Sequence, residues 1–173
     1  MRVTRRAAAS FSPRQYEGSL EADGLRFGVV CARWNPTITD GMLDAALDTL
    51  RRRGARAASV AVVRVPGAFE VPAGARALLD SGKFQALIAL AAIVRGDTSH
   101  HEVLGHSVAA ALAALSVDSG VPIGFGLLTC DTMDQARRRT DKGIEAAEAA
   151  IEMANLRRQL RRGSPRARAG SRG

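Results

Sequence analysis

The chain has 173 residues, of which 46% are hydrophobic and 24% are charged. That length favours one domain, and the hydrophobic fraction is sufficient for a buried core, which argues against global disorder. No apolar run reaches the roughly 18 residues that cross a bilayer, and the first residues lack the apolar segment of a secretory signal. The only two cysteines, Cys31 and Cys130, suggest no disulfide framework, so we expect a cytoplasmic protein.

The formal charge of +8 is concentrated at the two ends of the chain. Residues 1–14 contain four Arg and no acid, and residues 156–173 contain seven Arg and no acid, so the remainder has 14 basic and 17 acidic residues. We interpret residues 1–15 as a flexible arm, 16–160 as the folded domain and 161–173 as a disordered basic tail. Such tails could bind nucleic acid through phosphate contacts, but we expect them to be solvated ends.

The first half of the chain alternates strand and helix patterns. Residues 25–33 form a short apolar run typical of a buried strand. Thr37 or Thr39 is expected to cap a helix that ends near Gly54. Residues 59–65 are rich in β-branched side chains and stop at a Pro-Gly turn, which predicts a second strand.

The second half continues the same alternation. Residues 70–81 predict a helix with Pro72 in its first turn, and residues 86–95, the longest apolar run, predict a central strand. A polar loop at 96–99 leads into a helix over 100–117, and residues 123–129 predict a fourth strand. Asp131 or Thr132 is expected to cap a short helix, and 142–160 predict the last one.

Strands separated by helices pair in parallel through right-handed crossovers. The expected fold is therefore α/β, a three-layer αβα sandwich around a four-stranded parallel sheet of flavodoxin-like order 2-1-3-4. This order creates a switch point between the first and third strands, and ligands in such sheets bind beyond the carboxyl ends of the strands.

Several functional side chains follow those strand ends. Trp34-Asn35 follow the first strand, residues 67–70 (Gly-Ala-Phe-Glu) the second and residues 95–101 the third, while Phe125 lies in the fourth. Aromatic rings, an arginine, a polar loop before a helix and a histidine would then meet at one edge. This combination predicts a pocket for a flat polar ring and a phosphate.

The loop and the histidines each allow two interpretations. Residues 96–99 before a helix offer backbone N–H groups to an anion, or they form an ordinary capped loop. His100 at the same junction suits proton transfer, although a structural histidine is the alternative. His101-Glu102 and His106 are spaced one residue too far apart for the H-E-x-x-H zinc motif, so we predict no metal site.

Five strings of the sequence carry a resemblance to a known family. VPGAFEVP at 65–72 resembles the VPGAFEIP segment of lumazine synthases, and IVRGDTSH at 93–100 is similar to their VIRG-x-T-x-H loop. FGLLT at 125–129 resembles their FG-hydrophobic-hydrophobic-T strand, and Lys142-Gly143 with AIEMANL at 150–156 match their last helix. The resemblance is collinear from about Tyr16 to Leu160.

The resemblance implies an enzyme of riboflavin biosynthesis, a 6,7-dimethyl-8-ribityllumazine synthase. This transferase-type reaction condenses 5-amino-6-(D-ribitylamino)uracil with 3,4-dihydroxy-2-butanone 4-phosphate through an imine, loss of phosphate and ring closure, with no metal or organic cofactor. Members of the family form pentamers with active sites between subunits, and some close twelve pentamers into an icosahedral capsid. We therefore expect small-molecule substrates and a homo-oligomer, and no membrane partner.

The resemblance also implies roles for individual residues, with His100 as the catalytic acid/base. Residues that would bind the pyrimidine and its ribityl chain are Trp34, Asn35, Ala68, Phe69, Glu70, Ala92, Ile93, Val94 and Phe125. Residues that would bind phosphate are Gly96, Asp97, Thr98, Arg139 and Lys142. In the family, the counterparts of Phe125, Arg139 and Lys142 come from the neighbouring subunit.

The chain departs from the family at three places. His101 stands where Phe or Tyr is usual, and Ala91-Ala92 replace a usual Gly-Thr. The segment 139–142 is shortened, which leaves open whether Arg137, Arg138 or Arg139 meets phosphate. Two further readings share the fold: a riboflavin synthase that dismutates two lumazines, and a shell or flavin-binding protein without turnover.

Overall fold

The computed structural model describes residues 12–163, and the chain alternates strands and helices throughout that range. The strands are β1 (Phe27–Ala32), β2 (Val60–Val65), β3 (Ala86–Val94) and β4 (Ile123–Cys130). The helices are α1 (Pro36–Arg52), α2 (Val71–Asp80), α3 (His100–Ser119), α4 (Met133–Arg137) and α5 (Lys142–Gly163). Most of the predicted arm and the predicted tail from residue 164 onward lie outside the described residues.

All neighbouring strands are parallel, and their order is β2-β1-β3-β4. Phe27 of β1 pairs with Val60 of β2 on one side and with Ala86 of β3 on the other, which sets the register of the sheet centre. All six residues of β1 and the first eight of β3 are buried, as expected for central strands covered on both faces. The predicted α/β architecture and strand order are confirmed.

Helices cover both faces of the sheet and form three layers. α1 and α5 pack on one face, where Ile38, Met42 and Ile151 join the core. α2 and α3 pack on the other, with Val71, Leu78 and Val108 buried there. Among residues 12–163, no helix is both long enough and apolar enough to cross a bilayer.

The start of α1 corrects one expectation. Neither Thr37 nor Thr39 is the N-cap: the cap is Asn35, with φ 58° and ψ 53°, and Pro36 takes the first helical position. Asn tolerates left-handed backbone better than Thr, whose β-branched side chain is disfavoured there. Thr39 is instead buried, and its hydroxyl donates to the carbonyl of Asn35. At α4, by contrast, Thr132 is the cap, as one of the two predicted candidates.

Glycines bring α5 into backbone contact with its neighbours. A Cβ on Gly124 of β4 would lie 1.9 Å from the carbonyl oxygen of Ala146, and one on Gly143 would lie 2.0 Å from that of Met42. Such distances are impossible for real atoms, so both positions require glycine for packing. The helix also holds the segment before β1, because the Asn155 amide donates to the carbonyls of Ser19 and Glu21, both at 2.8 Å.

Candidate active site

Hydrogen bonds tie the carboxyl ends of all four strands together. The backbone N–H of Arg33 donates to Val65 (2.8 Å), which joins the ends of β1 and β2. The side-chain amide of Asn35 donates to the Ala92 carbonyl (2.9 Å), which joins β1 to β3 across the switch point. The N–H of Arg95 donates to Cys130 (2.8 Å), which joins β3 to β4. The residues that follow the four strands are therefore neighbours at one edge of the sheet.

Two aromatic rings stand in solvent at this edge. Trp34 is 76% exposed and Phe69 is 70% exposed, while Ala68, Ala92 and Ile93 are buried beneath the surface and Val94 is half-buried. The backbone N–H of Trp34 donates to the carbonyl oxygen of Pro66 (3.1 Å), so Trp34 lies beside the turn that contains Phe69. Neither ring packs into the core, so both offer stacking surface to a planar ligand or to another chain.

Glu70 ends the 3-10 turn of Ala68–Glu70 and closes it with its own side chain. Its Oε2 accepts a hydrogen bond from the Gly67 N–H at 2.9 Å, and the turn runs directly into α2. The other carboxylate oxygen, Oε1, has no hydrogen-bond partner within residues 12–163. One oxygen is therefore structural, and the other remains available to a hydroxyl group.

The loop of residues 96–99 leads into the 20-residue helix α3 and is exposed throughout. Its backbone N–H groups donate no hydrogen bond within the described chain, and Ser99 caps α3 without a side-chain bond. Gly96, Asp97 and Thr98 thus surround free N–H groups at the positive end of a helix dipole, an arrangement that suits a phosphate. His100 follows with its side chain exposed.

The next residue, His101, is held much more firmly. Its side chain is 14% exposed, and its Nδ1 lies 3.0 Å from the carbonyl oxygen of Thr98. A carbonyl oxygen only accepts, so Nδ1 carries a proton and donates it to Thr98. His101 therefore fastens the loop to the first turn of α3. The sequence showed that His101 is unusual but not that it makes this bond.

A second group of residues lines a separate groove at the edge strand. The groove lies between α3 and β4, has a volume of about 620 Å³ and is lined by His101, Phe125 and Arg139 among others. Trp34, Phe69, Glu70 and His100 do not line it. Within one chain the predicted site residues thus form two groups, one around Trp34 and one around Phe125.

Among the three consecutive arginines Arg137, Arg138 and Arg139 at the end of α4, only Arg139 lines this groove. Arg137 is ion-paired with Asp134 at 3.0 Å, and Lys142 with Glu145 at 2.5 Å, whereas Arg139 has no ion pair within residues 12–163. Arg139, Lys142 and Phe125 also share a smaller cavity of about 490 Å³ on the α5 side of β4. A free guanidinium beside an exposed aromatic ring can bind the oxygens of a phosphate.

The groove includes residues that sequence reasoning did not single out as site residues. Gln135 lines it, and its Oε1 accepts from the Asp131 N–H at 2.9 Å. The Thr-x-x-Gln pattern at 132–135 is a recognisable capping box and could have located this turn. In the described part of the chain, no three His, Cys, Asp or Glu side chains cluster as metal ligands do; the absence of a metal requirement stays a prediction.

A comparison with known protein families agrees with this geometry. A family model described as 6,7-dimethyl-8-ribityllumazine synthase matches residues 24–158, which include all four strands and all the candidate site residues. The match covers well over half of the chain and spans the switch point, the loop before α3 and the arginines at the end of α4. The chain therefore belongs to the 6,7-dimethyl-8-ribityllumazine synthase family, whose members carry out a transferase-type condensation in riboflavin biosynthesis.

Proposed function

We propose that this chain condenses 5-amino-6-(D-ribitylamino)uracil with 3,4-dihydroxy-2-butanone 4-phosphate at a site formed by two neighbouring subunits. One subunit supplies the group around Trp34, and the next supplies Phe125, Arg139 and Lys142. The observation that carries this proposal is the separation of the two groups within one chain, since the groove that contains Phe125 and Arg139 excludes Trp34 and Phe69. Two rings as exposed as Trp34 and Phe69 also favour a covering partner.

In this proposal the pyrimidine stacks on Trp34, beside Asn35, and is enclosed by Phe125 of the adjacent subunit. Ala92, Ile93 and Val94 present backbone groups to the edge of the ring at the end of β3. The ribityl chain extends along Ala68 and Phe69, and Glu70 accepts one of its hydroxyl groups. The unpartnered Oε1 of Glu70 supports that role.

The phosphate of the sugar substrate binds at the start of α3. The free N–H groups of the loop at Gly96, Asp97 and Thr98 contact its oxygens, and the unpaired Arg139 supplies a positive charge from the adjacent subunit. Lys142, which is ion-paired with Glu145, adds a second cation. Binding both substrates in one site lowers the entropic cost of their reaction.

His100 moves protons during the reaction. The pyrimidine amine attacks the ketone carbon, and a proton is transferred to the oxygen so that water leaves and an imine forms. The carbon–oxygen bond to phosphate then breaks, with loss of a proton from carbon, and the second nitrogen closes the ring as another water leaves. The exposure of His100 at the loop–helix junction supports this role.

The assembly that we propose is a cytoplasmic pentamer, the ring that the family forms, in which every subunit meets two like neighbours. A closed shell of pentamers is the larger alternative. The mass of the purified particle, measured by mass photometry, distinguishes a monomer, a pentamer and a shell. A monomer that retains full activity would contradict a site shared between subunits.

Product formation is the direct test of the activity. The two substrates react slowly without help, so lumazine absorbance is followed against a control without protein. A rate well above the control supports the proposal, and a rate equal to the control rejects it. The only tryptophan, Trp34, allows a second readout, because a stacked pyrimidine should quench its fluorescence.

Mixing two inactive variants tests whether the site is shared. Trp34→Ala damages one group and Arg139→Ala the other, and each variant alone should lose most of its activity. If the site lies between subunits, refolding the two together restores about a quarter of the sites by random pairing in a ring. No recovery above the separate variants would show that each chain carries a complete site.

A further inference from the structure

A second basic cavity lies at the opposite end of the sheet from the candidate active site. Its volume is about 510 Å³, and it is lined by Leu25, which precedes β1, by Gln85, which precedes β3, and by the C-terminal half of α5. The four arginines that line it are Arg157, Arg158, Arg161 and Arg162. None of the residues in our proposed active site lines this cavity.

These arginines have no acidic partners in the described part of the chain. Within residues 12–163, none of the four forms an ion pair, and Arg158 donates only to the neutral side chain of Asn155 at 2.7 Å. Partial burial and the nearby charge of Arg161 lower the pKa of Arg157. The sequence beyond residue 163 adds three more Arg and no Asp or Glu. The cavity thus contains mutually repelling positive charges that no carboxylate of residues 12–163 neutralises.

The helix dipole alone does not account for this arrangement. Arginines are favourable near helix C-termini, and α1 also ends in them. There, however, Arg51 and Arg52 are paired with Asp48, and Arg53 is paired with Glu148 at 2.6 Å. The chain neutralises its arginines at the end of α1 and leaves those at the end of α5 unpaired around a cavity.

The remaining polar group of the cavity is also a donor. The Oε1 of Gln85 accepts from the Arg26 N–H at 2.8 Å, so its amide nitrogen is the group left to bind a ligand. Arg157 with Arg161, and Arg158 with Arg162, are spaced four residues apart and therefore stack on successive turns of one helix. Two such pairs offer more donors than a single phosphate accepts, but they match two or more linked phosphates.

We propose that this cavity is a second anion-binding site, for the oligophosphate group of a small ligand. A concave site that contains the half-buried Arg157 favours a compact ligand over an extended nucleic-acid strand, which needs a longer continuous surface. The ligand would satisfy the unpaired guanidinium groups and relieve their repulsion. Binding there would not require either substrate of the condensation.

The test uses the full chain, inorganic triphosphate as the probe and isothermal titration calorimetry at fixed low salt. Arg157→Gln/Arg161→Gln should weaken binding by at least about tenfold, because charge-assisted hydrogen bonds are lost. Arg158→Gln/Arg162→Gln should do the same. The matched control is Arg51→Gln/Arg52→Gln, which removes equal charge from the end of α1 and should bind like the wild type.

Three results would overturn the proposal. The wild type could fail to bind triphosphate, the α1 control could weaken binding as much as the α5 variants, or single-stranded RNA could bind at α5 while triphosphate does not. Thermal melting of each variant checks folding, because Arg157 is half-buried and Arg158 donates to Asn155. Lumazine formation should also be unchanged in the α5 variants. The experiment therefore tests the triphosphate site separately from the proposed active site.

Discussion

The side-chain amide of Asn35 donates to the carbonyl of Ala92 at 2.9 Å and so joins the two central strands at their carboxyl ends. Asn35 is also the only non-glycine residue of the described chain with positive φ. Its unusual backbone turns the chain sharply from β1 into α1 directly after Trp34. One residue therefore caps α1 and joins β1 to β3 at the switch point, directly after the exposed Trp34.

Replacing Asn35 by Ala should destabilise the fold by about 2–3 kcal/mol, because a hydrogen bond is lost and alanine is disfavoured in the left-handed region. Asn35→Gly is the matched control, since it loses the same bond but accepts the backbone conformation. Urea unfolding should rank wild type above Gly and Gly above Ala. Equal stability of the Ala and Gly variants would mean that the backbone conformation contributes nothing.

The arginines at the end of α4 should differ sharply in their effect on substrate binding. Arg139→Gln should raise KM for the sugar phosphate by about tenfold or more, because an unpaired guanidinium that lines the groove is lost. Arg137→Gln should have little effect, since Arg137 is held by Asp134. Steady-state kinetics with each substrate varied in turn measure both. An equal rise in KM for the pyrimidine would contradict the phosphate role of Arg139.

The adjacent histidines should affect different kinetic constants. His100→Ala should lower kcat by about a hundredfold with little change in KM, as expected when a proton-transfer group is lost. His101→Phe, which inserts the residue type usual in the family, should raise KM for the sugar phosphate a few-fold, because the bond that holds Thr98 is lost.

His101→Asn is the control for that role, since its amide can still donate to the Thr98 carbonyl and should restore most of the affinity. If Phe and Asn at position 101 gave the same KM as the wild type, the hydrogen bond would have no part in phosphate binding. A lower kcat in both His101 variants, with KM unchanged, would indicate that His101 itself transfers protons.

Cys31 should make stability fall at alkaline pH. Burial raises the pKa of its thiol from 9.0 to about 11, although the nearby Arg64 acts in the opposite direction. The folded state therefore favours the neutral thiol, and its contribution is complete below pH 9 and is lost as the pH rises towards 11. The shift corresponds to about 3 kcal/mol. Urea unfolding across this range should show a smaller loss in Cys31→Ala.

Thiol labelling provides an independent check of the same residue. In a Cys130→Ser background, which leaves one cysteine, Cys31 should resist modification in the native state and react rapidly in urea. Rapid labelling of the folded protein would show that the site is open to solvent. If Cys31→Ala differed from the wild type in stability while Cys31 was not protected from labelling, the difference would indicate repacking of the core.

Strand order and layer structure could be predicted because they depend on patterns within short segments. The apolar run of β3 and its length identify a central strand, and alternation with helices fixes parallel pairing. The cap of α1 could not be predicted in this way, since Asn35 makes no side-chain bond to its own helix and instead binds Ala92, 57 residues away. Residue preferences alone favoured Thr37 and Thr39.

The candidate site could likewise be predicted only in part. The sequence locates Trp34, Phe69 and His100 near the strand ends, but the exposure of the two rings depends on what the rest of the chain leaves uncovered. Asp134 lies three residues before Arg137, and this spacing on a helix predicts the ion pair that the two residues form. The hydrogen bond between His101 and Thr98 could not be predicted from spacing, because it depends on the conformation of the loop.

The length of α5 separates the two anion sites that we propose. Lys142 stands at its first residue and Arg161 near its last, so about 20 residues at 1.5 Å each set these charges roughly 30 Å apart. Backbone contact at Gly143 and at the neighbouring strand keeps the helix from sliding. At physiological salt the electrostatic potential decays over about 8 Å. Binding of an anion at one end of α5 should therefore not change the affinity at the other end. The heat of binding measured for the two ligands together should equal the sum of the heats measured for each alone.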